Sequence, residues 1–76
     1  MSDAYASTKR YKIIFRYKAT FDPIDYVFIA ADEIHAAAMI LPFSKEYNIE
    51  HVWKYNKDKR RYYPCKTLED RYVKKQ

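Results

Sequence analysis

Two histidines and one cysteine are the side chains in this sequence best suited to acid-base or nucleophilic chemistry. His35 falls near the start of a predicted helix and His51 in a predicted strand, so the pair could meet as acid and base in a small hydrolase. Cys65 precedes Lys66, and basic neighbours could lower the pKa of its thiol, but no histidine lies near it in sequence. Ser44 lacks a nucleophile elbow. We therefore expect the protein not to be an enzyme.

Metal and cofactor sites find little support in the sequence. The carboxylates of Asp22, Asp25, Asp32 and Glu33 could gather at one end of a sheet to hold a cation. Each of them is already explained by a role in a turn or a helix cap. The spacing of cysteine and histidine does not resemble a zinc site. Glycine is absent, which excludes phosphate-binding loops and dinucleotide fingerprints. We expect no metal and no cofactor.

The strongest chemical pattern is a mixture of cations and flat rings in two separate stretches. In KRYKIIFRYK, residues 9–18, basic side chains share one face of an extended strand and apolar ones the other. In WKYNKDKRRYYPCK, residues 53–66, lysines and arginines are interleaved with aromatic rings. The candidate binding residues are Arg10, Lys12, Arg16, Lys18, Trp53, Lys54, Tyr55, Lys57, Lys59, Arg60, Arg61, Tyr62 and Tyr63.

This pattern indicates a binding protein. Cations neutralise phosphates and release counterions, while rings stack on unpaired bases, so nucleic acid is the expected partner, with single strands or RNA favoured. An acidic protein surface is the alternative, because Tyr, Trp and Arg are enriched at interface hot spots and an apolar patch rimmed by Arg16 and Lys54 would suit it. Rings also fill strands for packing reasons, and cations also protect sheet edges.

Composition points to one small folded domain. The chain has 76 residues, of which 49% are hydrophobic and 18% aromatic, so a packed core is expected without disulfides from its single cysteine. Residues 1–21 and 54–76 are basic, whereas residues 22–53 hold six acidic side chains and one basic one. The longest apolar run, IHAAAMIL, is too short to cross a bilayer, and no signal peptide is evident. We expect a soluble cytoplasmic protein.

The predicted elements form an α+β domain over residues 9–76 after a flexible terminus at residues 1–8. In chain order they are strands at 9–20 and 25–31, a helix at 33–41, strands at 49–56 and 60–65, and a short C-terminal helix opened by Thr67. This ββαββ order predicts an antiparallel sheet of three to four strands with one main helix on one face. The other face stays open.

Four features of these elements carry further expectations. The second strand is apolar on both faces, which favours the middle of the sheet. Pro42 either ends the helix or kinks it. Nearly all of Ile34–Leu41 is apolar, so the helix needs a second cover, which the C-terminal segment or a second copy in a homodimer could supply. Pro64 confines the last strand to an edge.

The segments FIAADEIHAAAMI and NIEHVWKY resemble a recurring arrangement in which a strand ending in alanine leads into an acidic helix start. Ala31, Asp32, Ala37 and Val52 fit it, and the resemblance covers residues 10–56. Small bacteriophage inhibitors of host RNA polymerase and some small anti-CRISPR proteins are similar in this ββαβ order. The resemblance implies an inhibitor acting in the host cytoplasm on an acidic surface of RNA polymerase or a defence complex. The absence of glycine and the basic-aromatic tail depart from the polymerase inhibitors.

Overall fold

The computed structural model describes residues 8–18 and 20–73, which form a four-stranded antiparallel sheet with two helices. The elements are β1 (Lys9–Arg16), β2 (Ile24–Ala30), α1 (Glu33–Glu46), β3 (Asn48–Asn56), β4 (Arg61–Pro64) and α2 (Lys66–Tyr72). The α+β class and the ββαββ succession with a short C-terminal helix are confirmed. In space the strands follow the order β2-β1-β3-β4. Residues 1–7 of the predicted flexible terminus lie outside the described residues.

β1 is a central strand, paired with β2 on one side and β3 on the other. Its apolar and basic side chains lie on different faces of the sheet, because successive side chains of a strand point to opposite faces. Tyr11, Ile13 and Phe15 are buried in the core, whereas the even-numbered side chains point away from it. The strand ends at Arg16, earlier than the predicted Thr20.

β2 is an edge strand, so the prediction that it lies in the middle of the sheet was wrong. Phe28 and Ala30 pack into the core, but Val27 and Ile29 on the other face are exposed. The strand is apolar on both faces although only one of them is covered. Periodicity alone cannot distinguish such an edge strand from a buried central one. β4 is the opposite edge and ends at Pro64, as predicted.

α1 begins where the sequence predicts and ends later. Asp32 is the N-cap, and its Oδ1 accepts a hydrogen bond from the backbone N–H of His35 at 2.8 Å. The helix continues through Pro42 to Glu46. Proline removes the N–H that would bond to the carbonyl of Ala38, and both residues lie on the exposed side of the helix, where water can hydrate that carbonyl.

The second cover of α1 comes from the C-terminal segment. Ala36, Ala37 and Ile40 are buried against the sheet, and the hydroxyl of Tyr72 in α2 donates to the carbonyl of Ala37 at 3.2 Å. Ile34 of α1 stays exposed, and a homodimer contact through this helix stays a prediction. No helix in the described ranges is long and apolar enough to span a membrane.

α2 closes one part of the sheet edge that β4 leaves uncovered. The backbone N–H of Cys65 donates to the carbonyl of Val52 at 2.8 Å, and the N–H of Val52 donates to Oε2 of Glu69 at 3.1 Å. The backbone N–H and C=O of Val52 therefore both have hydrogen-bond partners, although β4 does not pair with Val52. The predicted cap at Thr67 was wrong, because the helix starts at Lys66 and its N-cap position is Cys65, which makes no side-chain cap bond.

Candidate nucleic-acid interface

The sheet face opposite α1, here called the open face, collects side chains from all four strands. The register pairs Lys12 with Val27 on one side and with Trp53 on the other, and pairs Tyr55 with Tyr62. Directly opposite residues share a face. The side chains placed on the open face by this register are Arg10, Lys12, Ile14, Asp25, Val27, Ile29, His51, Trp53, Tyr55, Tyr62 and Pro64.

Five of these residues form a basic-aromatic cluster: Arg10, Lys12, Trp53, Tyr55 and Tyr62. The guanidinium carbon of Arg10 lies 4.4 Å from the ring centroid of Tyr55. Nζ of Lys12 lies 4.5 Å from the ring centroid of Tyr62 and 5.2 Å from that of Trp53. The rings of Tyr55 and Tyr62 meet edge to face with centroids 5.1 Å apart. The cluster therefore joins two distant stretches of sequence, residues 10–12 and 53–62, through cation–π contacts.

The two cations of this cluster contact aromatic rings and none of the described carboxylates. Among the described residues, neither Arg10 nor Lys12 forms an ion pair with a carboxylate. A guanidinium lying flat on a ring still presents N–H donors around its edge, and a lysine ammonium has three donors that rotate freely. The cluster thus offers positive potential and hydrogen-bond donors to an anion above the sheet.

Arg16 was predicted as a binding residue, but its charge is already paired. Its Nε lies 2.7 Å from Oε2 of Glu50, and its Nη1 donates to the carbonyl of Phe21 at 2.8 Å. The register shifts between Ile14 and Phe15, leaving Glu50 as the extra residue of a β-bulge. The ion pair makes Arg16 a poor candidate for contact with an anionic ligand.

The hairpin between β3 and β4 carries the remaining cations as an exposed rim. Its basic residues are Lys57, Lys59, Arg60 and Arg61, all exposed. The side-chain oxygen of Asn56 accepts from the N–H of Lys59 at 3.1 Å and closes the turn. Arg60 has φ 55, so the left-handed position of the turn is occupied by Arg60 and not by an Asn or Asp, the residues that favour this conformation.

An open cleft of about 580 Å³ connects this rim to the cluster. Its wall includes Arg10, Ile29 and Tyr55 from three strands and Lys57 and Asp58 from the turn. A chain lying along the cluster could therefore continue past Tyr55 toward the cations of the hairpin.

Four predicted site residues do not join the open face. Lys54 pairs with Tyr11 and with Tyr63, and this register places Lys54 and Tyr63 on the side covered by α1. Arg61 pairs with Asn56, so it lies on the same side of β4 as Tyr63. Lys18 follows the end of β1, with Nζ 5.5 Å from the ring centroid of Tyr17. Strand alternation explains the first three, since neighbours of Trp53 and Tyr62 must point the other way.

The histidines considered as an acid and base pair lie on different sides of the sheet. His35 belongs to α1, and its Nδ1 accepts a hydrogen bond from the N–H of Ala31 at 3.1 Å. His51 lies on the open face, its ring 5.9 Å from that of Trp53 and its Nδ1 3.7 Å from Oε2 of Glu69. The sheet therefore separates the two imidazoles.

Cys65 is buried, and burial raises the pKa of its thiol. The lowered pKa that its basic neighbours could have produced is thus contradicted. Burial also raises the pKa of Tyr11 to about 12, and the Tyr11 hydroxyl has no hydrogen-bond partner among the described residues. In the part of the chain that the structure describes, no group of three or more His, Cys, Asp or Glu side chains could hold a metal ion.

Two exposed aliphatic side chains of the open face were not among the predicted site residues. Val27 and Ile29 flank the cationic row of β1 on the side away from the rings. Their exposure follows from the edge position of β2, which the sequence pattern did not reveal. The pairing of Tyr55 with Tyr62, by contrast, follows from the hairpin register once the turn is placed at residues 57–60.

Comparisons with known proteins found no match: no family model, no curated protein and no solved structure is significantly similar to this chain. The resemblance to small phage inhibitors accordingly stays a prediction.

Proposed function

We propose that this protein binds single-stranded nucleic acid on its open face and catalyses no reaction. The observation that carries the proposal is the basic-aromatic cluster, in which Arg10 and Lys12 of β1 lie against the rings of β3 and β4. The cluster is on the face that α1 does not cover, so its side chains are not needed to fill the core.

The chemistry of the cluster suits an unpaired strand. Rings stack on the faces of bases, which are accessible only when the bases are not in a duplex, and each stacked base contributes about 1–3 kcal/mol. Arg10 stacked on Tyr55 extends that platform, because a guanidinium plane can itself carry a base. Lys12 and the hairpin cations neutralise the phosphates that link the bases.

Affinity for labelled single-stranded DNA and RNA of about 12 nucleotides tests the proposal, since single-strand sites span about 4–16 nucleotides per domain. We expect binding by fluorescence anisotropy at low salt, with a plot of log affinity against log salt falling with a slope of about −1.4 to −2. That slope corresponds to two or three neutralised phosphates at about −0.7 each. A duplex of the same length should bind more weakly.

Two substitutions of one ring serve as matched variants. Trp53→Ala removes a stacking surface and should weaken binding by roughly tenfold. Trp53→Phe keeps a flat ring, and we expect it to lose no hydrogen bond because the indole N–H bonds to no residue that the structure describes. Equal binding by wild type and both variants, or no binding at low salt, would overturn the proposal and turn attention to an acidic protein surface as the ligand.

A further inference from the structure

The outer edge of β2 is a second surface, distinct from the open face. β2 pairs with β1 along one edge, and no other strand in the described ranges pairs with it. The strand is seven residues long and contains no proline, lysine or arginine. Those residues are the ones that proteins use to protect an exposed edge from another strand. The edge therefore presents backbone N–H and C=O groups without that protection.

Side chains on both faces of β2 are exposed. Val27 and Ile29 on the open face are 50% and 60% exposed, and Tyr26 on the opposite face is 39% exposed. If β2 lacked only a packing layer on one face of the sheet, only the side chains on that face would be exposed. Exposure on both faces is expected when the missing neighbour lies beside the strand, because an edge residue is flanked on one side only.

The opposite edge of the sheet shows the protection that β2 lacks. β4 has four residues, ends at Pro64 and is preceded by Arg60. The free edge of β3 beyond β4 is closed at Val52, whose N–H and C=O bond to the α2 segment. One edge of the domain is thus short and partly closed, whereas none of the strands that the structure describes pairs with the outer edge of β2.

The charges around β2 select the kind of strand that can pair with it. Residues 20–44 contain no lysine or arginine, and their carboxylates lie in β2 or next to it: Asp25 is within the strand, Asp22 precedes it, and Asp32 and Glu33 follow it. Antiparallel pairing of two copies centred on Val27 would set Asp22 beside Asp32 of the second copy. Like charges opposite each other destabilise a strand pair, so the carboxylates disfavour a second copy in this register and favour a basic strand.

We infer that the edge of β2 binds an extended segment of another protein in which basic and apolar residues alternate, added to the sheet as a fifth strand. Backbone hydrogen bonds to the edge provide affinity, apolar side chains cover Tyr26 or Val27 and Ile29, and basic side chains meet the flanking carboxylates. β1 already pairs with the inner edge of β2 and has this alternating composition.

A synthetic peptide with the sequence KRYKIIFRYK, residues 9–18, is the probe, and a scrambled peptide of the same composition is its control. Anisotropy measures affinity for the full-length protein, and amide hydrogen exchange locates the contact. We expect the peptide to bind more tightly than the scrambled control and to slow exchange within Ile24–Ala30, while protection of the β1–β3 pairing is unchanged.

Charge variants test the role of the carboxylates. Asp22→Asn with Asp25→Asn should weaken peptide binding by about fivefold at low salt. Glu46→Gln with Asp70→Asn makes the same change in net charge away from β2 and should alter binding by less than about twofold. Tyr26→Lys places a cation at this edge on the covered side of the sheet and should weaken peptide binding by about tenfold or more without changing affinity for oligonucleotides, which bind the opposite face.

Three results would overturn the inference. Equal binding of the two peptides would show that the alternating pattern is not recognised. Protection that maps to α1 or β4 would place the contact elsewhere. Dimerisation of the free protein through β2, detected by sedimentation, would show that the edge takes a second copy. Because the oligonucleotide assay reports on the open face alone, failure here is distinguishable from failure of the proposed function.

Discussion

The two faces of the sheet differ although β1 contributes to both with alternating residues of one short sequence. On the covered face Tyr11, Ile13 and Phe15 are buried under α1. On the open face Arg10 and Lys12 rest on aromatic rings of β3 and β4. The covered face accounts for stability, and the open face has cations and rings that stability does not require. Mutations on the two faces should therefore have different effects on stability and on binding.

The largest expected effect is loss of stability from the covered face. Phe15→Ala or Phe28→Ala should lower the free energy of unfolding by about 3–5 kcal/mol, because each removes a large buried ring from a small core. Urea or thermal unfolding measures the change. Lys12→Ala on the open face is the control and should cost about 1 kcal/mol or less. Similar losses of unfolding free energy from substitutions on both faces would contradict the conclusion that the covered face accounts for stability.

Charge reversal on the open face should reduce binding without unfolding the domain. Arg10→Glu with Lys12→Glu should weaken oligonucleotide affinity by about a hundredfold, since it repels phosphates at the centre of the cluster. Arg60→Glu with Arg61→Glu makes the same charge change on the hairpin rim and should weaken it by about tenfold. Anisotropy compares them, and unchanged melting temperatures exclude misfolding. A larger loss from the rim pair would move the site to the hairpin.

Tyr11 makes the covered face sensitive to alkaline pH. Its pKa is about 12 in the folded protein against an ordinary 10.0, so folding favours the neutral phenol. Its contribution to stability is fully present below pH 10 and is lost as the pH rises to about 12, a change of about 2–3 kcal/mol. Tyr11→Phe removes a hydroxyl that has no hydrogen-bond partner within residues 8–18 and 20–73, and the variant should have near wild-type stability at neutral pH. The stability advantage of this variant should then grow above pH 10, and parallel pH profiles would contradict that.

The smallest expected effect concerns the rim of the open face. Arg60→Gly should raise the free energy of unfolding by about 0.5–1 kcal/mol, because glycine adopts φ 55 without the clash that a side chain causes. Lys59→Gly, at the neighbouring turn position where φ is not positive, should lower it slightly through unfolded-state entropy. Chemical denaturation of both variants measures the difference. Stabilisation by both would point to some cause other than the left-handed backbone.

Much of the fold could be predicted because its signals are local. The alternation of β1 identifies its buried residues, and Asp32 as a cap identifies the start of α1. The position of β2 could not be predicted in the same way, since being apolar on both faces is equally consistent with a central strand and an unprotected edge. The continuation of α1 past Pro42 depends on which side of the helix the proline occupies.

The candidate site was predicted in part for similar reasons. Arg10 and Lys12 contact rings of the second hairpin because their strands pair. Lys54, in contrast, lies on the covered face, because it alternates with Trp53 and Tyr55 along β3. The pairing of Arg16 with Glu50 depends on a bulge, and a one-residue insertion in the register leaves no mark in the sequence pattern.

Fluorescence of Trp53 tests the central claim most directly, because the chain has one tryptophan and it lies within the basic-aromatic cluster. Stacking of a base on or beside this ring should quench its emission during titration with single-stranded oligonucleotide. We expect saturable quenching that weakens as salt rises and is absent when Arg10 and Lys12 are replaced by Glu. Unchanged emission at oligonucleotide concentrations that saturate the anisotropy signal would contradict the claim, because binding would then occur away from the cluster.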